Sequence, residues 1–307
     1  MAADSSHISA ASVQSSPLAD QAAGPSVPPE FVELAHTLAD AAGEITRRYF
    51  RTGINVESKA DASPVTQADR AAEAAMRALI HQHFPHHGVF GEEAGLELGA
   101  GSGENVWVLD PIDGTKSFIT GKPLFGTLIA LVHRGVPVVG VIDQPVLRER
   151  WLGVAGTATT LNGTPIRARP CDDIADAYMY STTPHMFEGR TEEAWLRVRD
   201  AVRLPLYGCD CYAYGLLAAG HCDLVVEADL KPYDYLALVP VIEGAGGFIT
   251  DWAGAPLTWD ALEYAQEPGA VPTSHEVVAA GDRGVLAQVL EKLDWKDQEQ
   301  HGMMGLS

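Results

Sequence analysis

Val106-Trp107-Val108-Leu109-Asp110-Pro111-Ile112-Asp113-Gly114-Thr115 is the stretch on which the reading of this chain turns. Four apolar, largely β-branched or aromatic residues predict a strand that ends on Asp110. Pro111 fixes the turn that follows, and Gly114-Thr115 can open a helix. Such a turn sends the Asp110 and Asp113 carboxylates and the Ile112 carbonyl to one side. It also directs the N–H groups of Gly114 and Thr115 toward an incoming anion. Oxygen-only ligation suits a hard cation, Mg²⁺ before Zn²⁺. The segment taken alone is equally an Asp-Pro turn followed by an Asx-type cap.

Two further acidic features flank it. Gly91-Glu92-Glu93 follows the short apolar run Val89-Phe90, so Glu92 can sit at a strand end facing the same crevice. Asp234 follows Lys231-Pro232-Tyr233 and opens the apolar stretch Tyr235 to Ile242, where by itself it reads as a helix N-cap. A helix there has Pro240 in its interior, at the cost of a hydrogen bond.

Working outward, apolar residues at Phe31, Leu34, Ala35, Leu38, Ala42, Ile45 and Tyr49 recur at helical spacing and predict an amphipathic helix over 31–50, ended by Gly53. Thr66-x-x-Asp69 predicts a capping box for a second helix that runs to His83 before Pro85. Two helices then precede the first strand. Strands are predicted at 106–109, 127–132 and 136–142, with His133-Arg134-Gly135 as a hairpin turn. Later come helices near 192–203 and 212–219 and strands at 224–227 and 248–251. Strands and helices fall in groups, which predicts a layered α+β architecture rather than a doubly wound one. The expected division is a tail over 1–29, an N-terminal α+β subdomain over 30–145, a C-terminal α/β subdomain over 146–292 and a short tail over 293–307.

The 307 residues carry 41 Asp+Glu against 21 Lys+Arg, a formal net charge of -20, with 46% apolar content. That balance favours a packed globular chain over disorder. Nucleic acid and anionic membrane surfaces both call for Lys and Arg, so neither is an expected partner. The four cysteines, Cys171, Cys209, Cys211 and Cys222, lack Cys-x-x-Cys spacing and read as reduced thiols. The histidines at 81, 83, 86 and 87 read as a helix C-terminus rather than a zinc site. Residues 1–30 contain no Lys or Arg, unlike an Arg-rich organelle leader, so the expectation is cytoplasmic, with the plastid as alternative.

Taken in order, Gly91-Glu92-Glu93, Asp110-Pro111-Ile112-Asp113-Gly114-Thr115, and Asp234 ahead of Gly244-Ala245-Gly246-Gly247 resemble the inositol monophosphatase-like superfamily over about residues 30 to 290. The resemblance implies a layered α/β/α/β/α fold, a homodimer, and Mg²⁺-dependent hydrolysis of small phosphate monoesters using two or three ions. It implies that Glu92, Asp110, the Ile112 carbonyl, Asp113 and Asp234 ligate metal, with Asp110 bridging two ions. Asp69 would support a third, weaker position. Thr115 and Glu92 match the pair that orients the attacking water, and Lys59 matches an upstream lysine of the site. The third motif departs from the family in carrying Tyr233 where a Trp is usual. Gly114 and Thr115 N–H groups would hold the phosphate oxygens.

Glu227 lies where the family places a substrate-contacting acid, and Asp210 lies where inositol-type members carry a small residue. Segments 121–127, 142–151 and 209–212 look like the histidinol-phosphate phosphatase branch, which implies L-histidinol phosphate, its cationic groups meeting Asp210 and Glu227. An inositol monophosphatase or a broad sugar and nucleotide phosphatase is the alternative. Outside catalysis, a cation-binding protein or an acidic structural protein would use the same acids without turnover.

Overall fold

The computed structural model describes residues 27–53, 56–58, 64–101, 103–266 and 275–295. The predicted tails lie outside them up to 26 and from 296, as does Lys59. In chain order the elements are α1 (Pro29–Tyr49), β1 (Val56–Ser58), β2 (Pro64–Thr66), α2 (Gln67–His83), β3 (Gly88–Gly91), β4 (Gly95–Glu97), β5 (Asn105–Asp113), α3 (Thr115–Ile119), β6 (Gly126–His133), β7 (Val136–Gln144), β8 (Glu149–Val154), β9 (Thr160–Leu161) and β10 (Thr164–Pro165). Then come β11 (Tyr178–Ser181), α4 (Arg190–Arg199), β12 (Leu204–Tyr207), α5 (Cys211–Ala218), β13 (Leu224–Leu230), α6 (Pro232–Tyr235), α7 (Leu238–Gly244), β14 (Phe248–Asp251), α8 (Ala261–Gln266), β15 (His275–Ala280) and α9 (Arg283–Leu293).

Strands β10-β9-β8-β7-β6-β5-β3-β4 form an eight-stranded sheet, antiparallel except where β3 runs parallel to β5. A second sheet has the order β12-β11-β13-β15-β14. Leu34, Leu38 and Ala42 of α1 and Met76 and Ile80 of α2 pack on one face of the large sheet against Trp107, Leu109 and Ile129. The other face, with Val106, Val108 and Leu128, meets the middle layer of α5, α6 and α7, whose far side covers Val225, Val277 and Ala279 of the small sheet. Trp195 of α4 and Val289 of α9 close that sheet from outside. The order is α/β/α/β/α, the layered arrangement the sequence predicts.

Two glycines let the middle layer sit directly on the sheet. A Cβ at Gly140 would collide with the Ala237 carbonyl, and one at Gly153 with the Pro240 carbonyl. No helix among the described residues is long and apolar enough to cross a membrane.

The prediction of two helices ahead of any strand is corrected: β1 and β2 pair between α1 and α2, too short to show a period in sequence. The helix foreseen from Asp234 is two helices, α6 and α7. Pro240 consequently falls in the first turn of α7, where its missing N–H has no partner to lose. The capping box at Thr66 forms as read, with Thr66 Oγ1 accepting from Ala68 N–H and Asp69 Oδ2 accepting from Thr66 N–H at 2.9 Å.

Candidate active site

Strand β5 does not stop at Asp110; it continues to Asp113 through a bulge. Asp110 pairs with Leu128 and Asp113 with Gly126, so three steps on β5 answer two on β6. Residues three apart on a regular strand face opposite ways. The extra residue turns Asp113 back to the side of Asp110. Pro111 fits here because the bulge asks no ladder N–H of it, and Thr127 Oγ1 holds its carbonyl at 2.9 Å. Asp110 Oδ1 accepts the Ile112 N–H at 3.0 Å, and Thr115 Oγ1 donates to the Ile112 carbonyl at 3.2 Å. Gly114 follows at φ +86 and opens the first turn of α3.

Asp234 arrives from the middle layer. Its Oδ2 accepts the Lys231 N–H at 2.7 Å, so the residue is the third of α6 and closes a capping box from there, rather than being the N-cap it resembles when taken alone. One ligand atom each from Asp110, Asp113 and Asp234 lies within 4.8 Å of the others. Oxygens on opposite sides of a small hard cation stand about 4.2 Å apart at a bond length of about 2.1 Å, so the spacing matches such an ion. Glu92, whose N–H donates to the Leu109 carbonyl at 3.1 Å, lies beside Asp110 at the parallel β3/β5 seam.

The electrostatics agree with that reading. Burial, followed by Glu92, Asp113 and Asp234, pushes the Asp110 carboxyl well above the carboxylate range. Burial, then Asp210 and Asp234, does the same to Asp113. Burial raises Asp234 to about 8, Glu92 and Glu227 adding to it. Like charges gathered this closely call for a counter-cation. Asp69, 1% exposed, supplies a further sign: Oδ2 is taken by Thr66, while its buried Oδ1 has no hydrogen-bond partner among the described residues. Burial lifts its carboxyl, and Glu92 adds to the rise. The donor set is all oxygen and fits a hard divalent ion.

The two acids foreseen for substrate also lie at this crevice. Gly208, Cys209 and Asp210 all have positive φ (90, 83 and 45), which only the glycine takes without strain, and Asp210 lies against Gly114. Asp210 does not cap α5 with its side chain. Its Oδ2 instead accepts from Ser117 Oγ at 3.1 Å, and α5 is capped by Asp113, whose Oδ2 accepts the Cys211 N–H. Burial raises the Asp210 carboxyl, opposed by Ser117, Lys122 and Lys116. Glu227, 3% exposed, takes the Thr182 N–H at 2.8 Å on one oxygen and the Tyr214 hydroxyl at 3.0 Å on the other, and burial pushes it up to about 6.

Sequence reasoning missed Glu73, Arg77, Ser117, Thr182 and Tyr214. Glu73 and Arg77 were signalled by their period: Asp69, Glu73 and Arg77 stand four apart along α2, charges in line with Ala72 and Met76 on its buried face. The four cysteines are free and buried, as predicted. Of the histidines, His81 and His83 are exposed in the last turn of α2, and His87 is half-buried, its Nδ1 accepting from Trp107 Nε1 at 3.1 Å.

Residues 28–295 match the model of the inositol monophosphatase family. The chain belongs to that family, and it is a phosphatase of that class. Its sequence is 56% identical over 265 residues to the bifunctional phosphatase IMPL2, chloroplastic, of Arabidopsis thaliana, covering 86% of this chain and 75% of that protein. It is 36% identical to the histidinol-phosphatase of Chlorobaculum parvum over 73% of this chain and 86% of the other. An inositol monophosphatase from Zymomonas mobilis superposes with a TM-score of 0.76 at 45% identity, covering 87% of this chain and 98% of that one. Enzymes of this family are metal-dependent, and the acidic cluster is a candidate place for an ion.

Proposed function

We propose that this chain hydrolyses L-histidinol phosphate to L-histidinol and phosphate with Mg²⁺. The observation that carries the hydrolytic part is the convergence of Asp110, Asp113 and Asp234 within 4.8 Å. Two ions, and a third at Asp69, would be held by Glu92, Asp110, the Ile112 carbonyl, Asp113 and Asp234. Bound divalent cations supply neutralisation of the phosphate dianion and acidification of a water.

The chain's own groups do the rest. Thr115 Oγ1 spends its proton on the Ile112 carbonyl, which leaves its lone pairs to accept from a water that Glu92 deprotonates. Gly114 and Thr115 N–H groups grip the phosphate oxygens at the first turn of α3. Lys59, outside the described residues, keeps its place in this reading from the resemblance alone.

The choice of substrate is supported by the similarity to histidinol-phosphatases and by two acids at the crevice where a cationic leaving group would lie. Asp210 accepts one bond, from Ser117, and Glu227 has one bond on each oxygen, so each has lone pairs to offer an amine or imidazolium. The expected result is a kcat/KM for histidinol phosphate at least about 10-fold above that for inositol 1-phosphate. A charge-assisted contact contributes about 1.5–3 kcal/mol, so Asp210→Asn should cost about 10- to 100-fold on histidinol phosphate and much less on the inositol ester. A clear preference for the inositol ester would overturn the substrate assignment, and an unchanged preference in the variant would remove Asp210 from it. The competing reading, inositol phosphate hydrolysis, is supported by the structural likeness to the Zymomonas mobilis enzyme.

The name of the Arabidopsis relative favours the plastid over the cytoplasm as the place of the reaction, although residues 1–30 contain no Lys or Arg. The family resemblance favours a homodimer. A fluorescent fusion of the full chain and a light-scattering mass, expected at twice 32.8 kDa, check these two points.

A further inference from the structure

The turn that carries Glu92 is held from behind by helix α2. Glu73, 1% exposed, accepts the Glu93 N–H at 2.8 Å on one carboxylate oxygen. The other oxygen accepts the Ala94 N–H at 3.0 Å and Arg77 Nε at 2.8 Å. Arg77 in turn donates from its NH2 group to the Gly95 carbonyl, at the far end of the same turn. Room for the carboxylate exists because residue 91 has no side chain: a Cβ there would occupy the position of the Glu73 carboxyl group. From the front, the Glu92 N–H is tied to Leu109, next to Asp110. The five residues from Gly91 to Gly95 are thus pinned on both sides, while Asp69 on the same helix, one turn earlier, meets Glu92 through its charge.

We propose that Glu73, supported by Arg77, is a positioning residue for Glu92: it fixes the backbone of the Glu93-Ala94 turn so that the Glu92 carboxylate is delivered to the metal-binding cluster. It touches neither substrate nor metal. Helix α2 then serves the site twice, through Asp69 directly and through Glu73 by way of the turn. The proposal rests on the metal-dependent phosphatase reading. Partners that orient a metal ligand typically control 10–100-fold in metal affinity when removed. Gln at position 73 keeps the volume but puts an NH₂ donor where the carboxylate received N–H groups.

The test is a double-mutant cycle read by calorimetric Mg²⁺ titration, with turnover as a second measure and near-UV circular dichroism as the check on folding. Glu73→Gln is expected to weaken Mg²⁺ binding about 10-fold or more, with substrate KM at saturating Mg²⁺ within about 3-fold. In a Glu92→Gln background the same change should cost little, because the group being positioned is gone. Glu73→Asp, which keeps the charge on a shorter arm, should recover part of the loss. Equal losses in both backgrounds, or a folded Glu73→Gln protein with unchanged Mg²⁺ affinity, would overturn the proposal. If Glu73→Gln does not fold, Gly91→Ala, which displaces the Glu73 carboxyl without altering it, takes its place in the cycle with the same expectations. An unmutated chain that binds no Mg²⁺ would instead remove the metal reading, and this proposal with it.

Discussion

Asp110→Asn should lower Mg²⁺-dependent phosphate release by about 10³-fold or more, the scale of losing a group that stabilises transition-state charge, while the protein stays folded. The second half of that expectation follows from the local structure. Asp110 is 2% exposed, and its Oδ1 receives the Ile112 N–H. An Asn carbonyl oxygen accepts the same bond, so the bulge survives. What changes is charge, since Glu92, Asp113 and Asp234 all repel the Asp110 carboxylate. Removing that repulsion should raise the melting temperature of the metal-free protein and abolish most of its rise on adding Mg²⁺. A variant with appreciable turnover, or one that Mg²⁺ stabilises as it does the parent, would contradict the role given to Asp110.

Stripped of metal by chelation, the unmutated protein should lose stability as pH rises from about 4 to about 8. The sign is that of a carboxyl whose pKa is higher folded than unfolded. Asp234 stands at about 8 in the fold against 3.8 in the open chain. Between those values the folded state binds the extra proton, so stability is fully present below 3.8 and is lost as pH climbs through 8. At about 1.4 kcal/mol per pH unit, the full difference is on the order of 5 kcal/mol. The share between pH 5 and pH 8, about 4 kcal/mol, corresponds for a domain of this size to a melting temperature lower by on the order of 10 °C at pH 8. Asp110 and Asp113 push in the same direction. Saturating Mg²⁺ should flatten the profile, because the ion takes the place of the proton. Melting curves at several pH values, with chelator and with Mg²⁺, check it; a chelated protein more stable at pH 8 than at pH 5 would contradict the clustering of these charges.

The parts of this molecule legible in sequence are those written in local residue order. Amphipathic spacing from Phe31 to Tyr49 and the Thr66-x-x-Asp69 box each state their element outright. The layered architecture followed from the grouping of strands and helices. Asp110 and Asp113 were legible as a pair because both lie in one turn, whereas the bulge that aligns them is a matter of register with Leu128 and Gly126 and cannot be seen in β5 alone. Asp113 as the cap of α5 was hidden for the same reason: its partner, the Cys211 N–H, is 98 residues away. The bond from Ser117 to Asp210 was hidden likewise, spanning 93 residues. β1 and β2 were missed because three-residue strands carry no period.

The bulge at Pro111-Ile112 also makes the site a question of odd and even. Everything after Asp110 on that strand faces as it does because one residue is supernumerary. Removing Ile112 would restore a regular ladder in which Asp113, now two residues from Asp110, keeps the same face, but the site would lose the Ile112 carbonyl that Thr115 Oγ1 holds. The supernumerary residue thus does two things at once: it lets carboxylates at an odd spacing share a face, and it puts a backbone carbonyl between them.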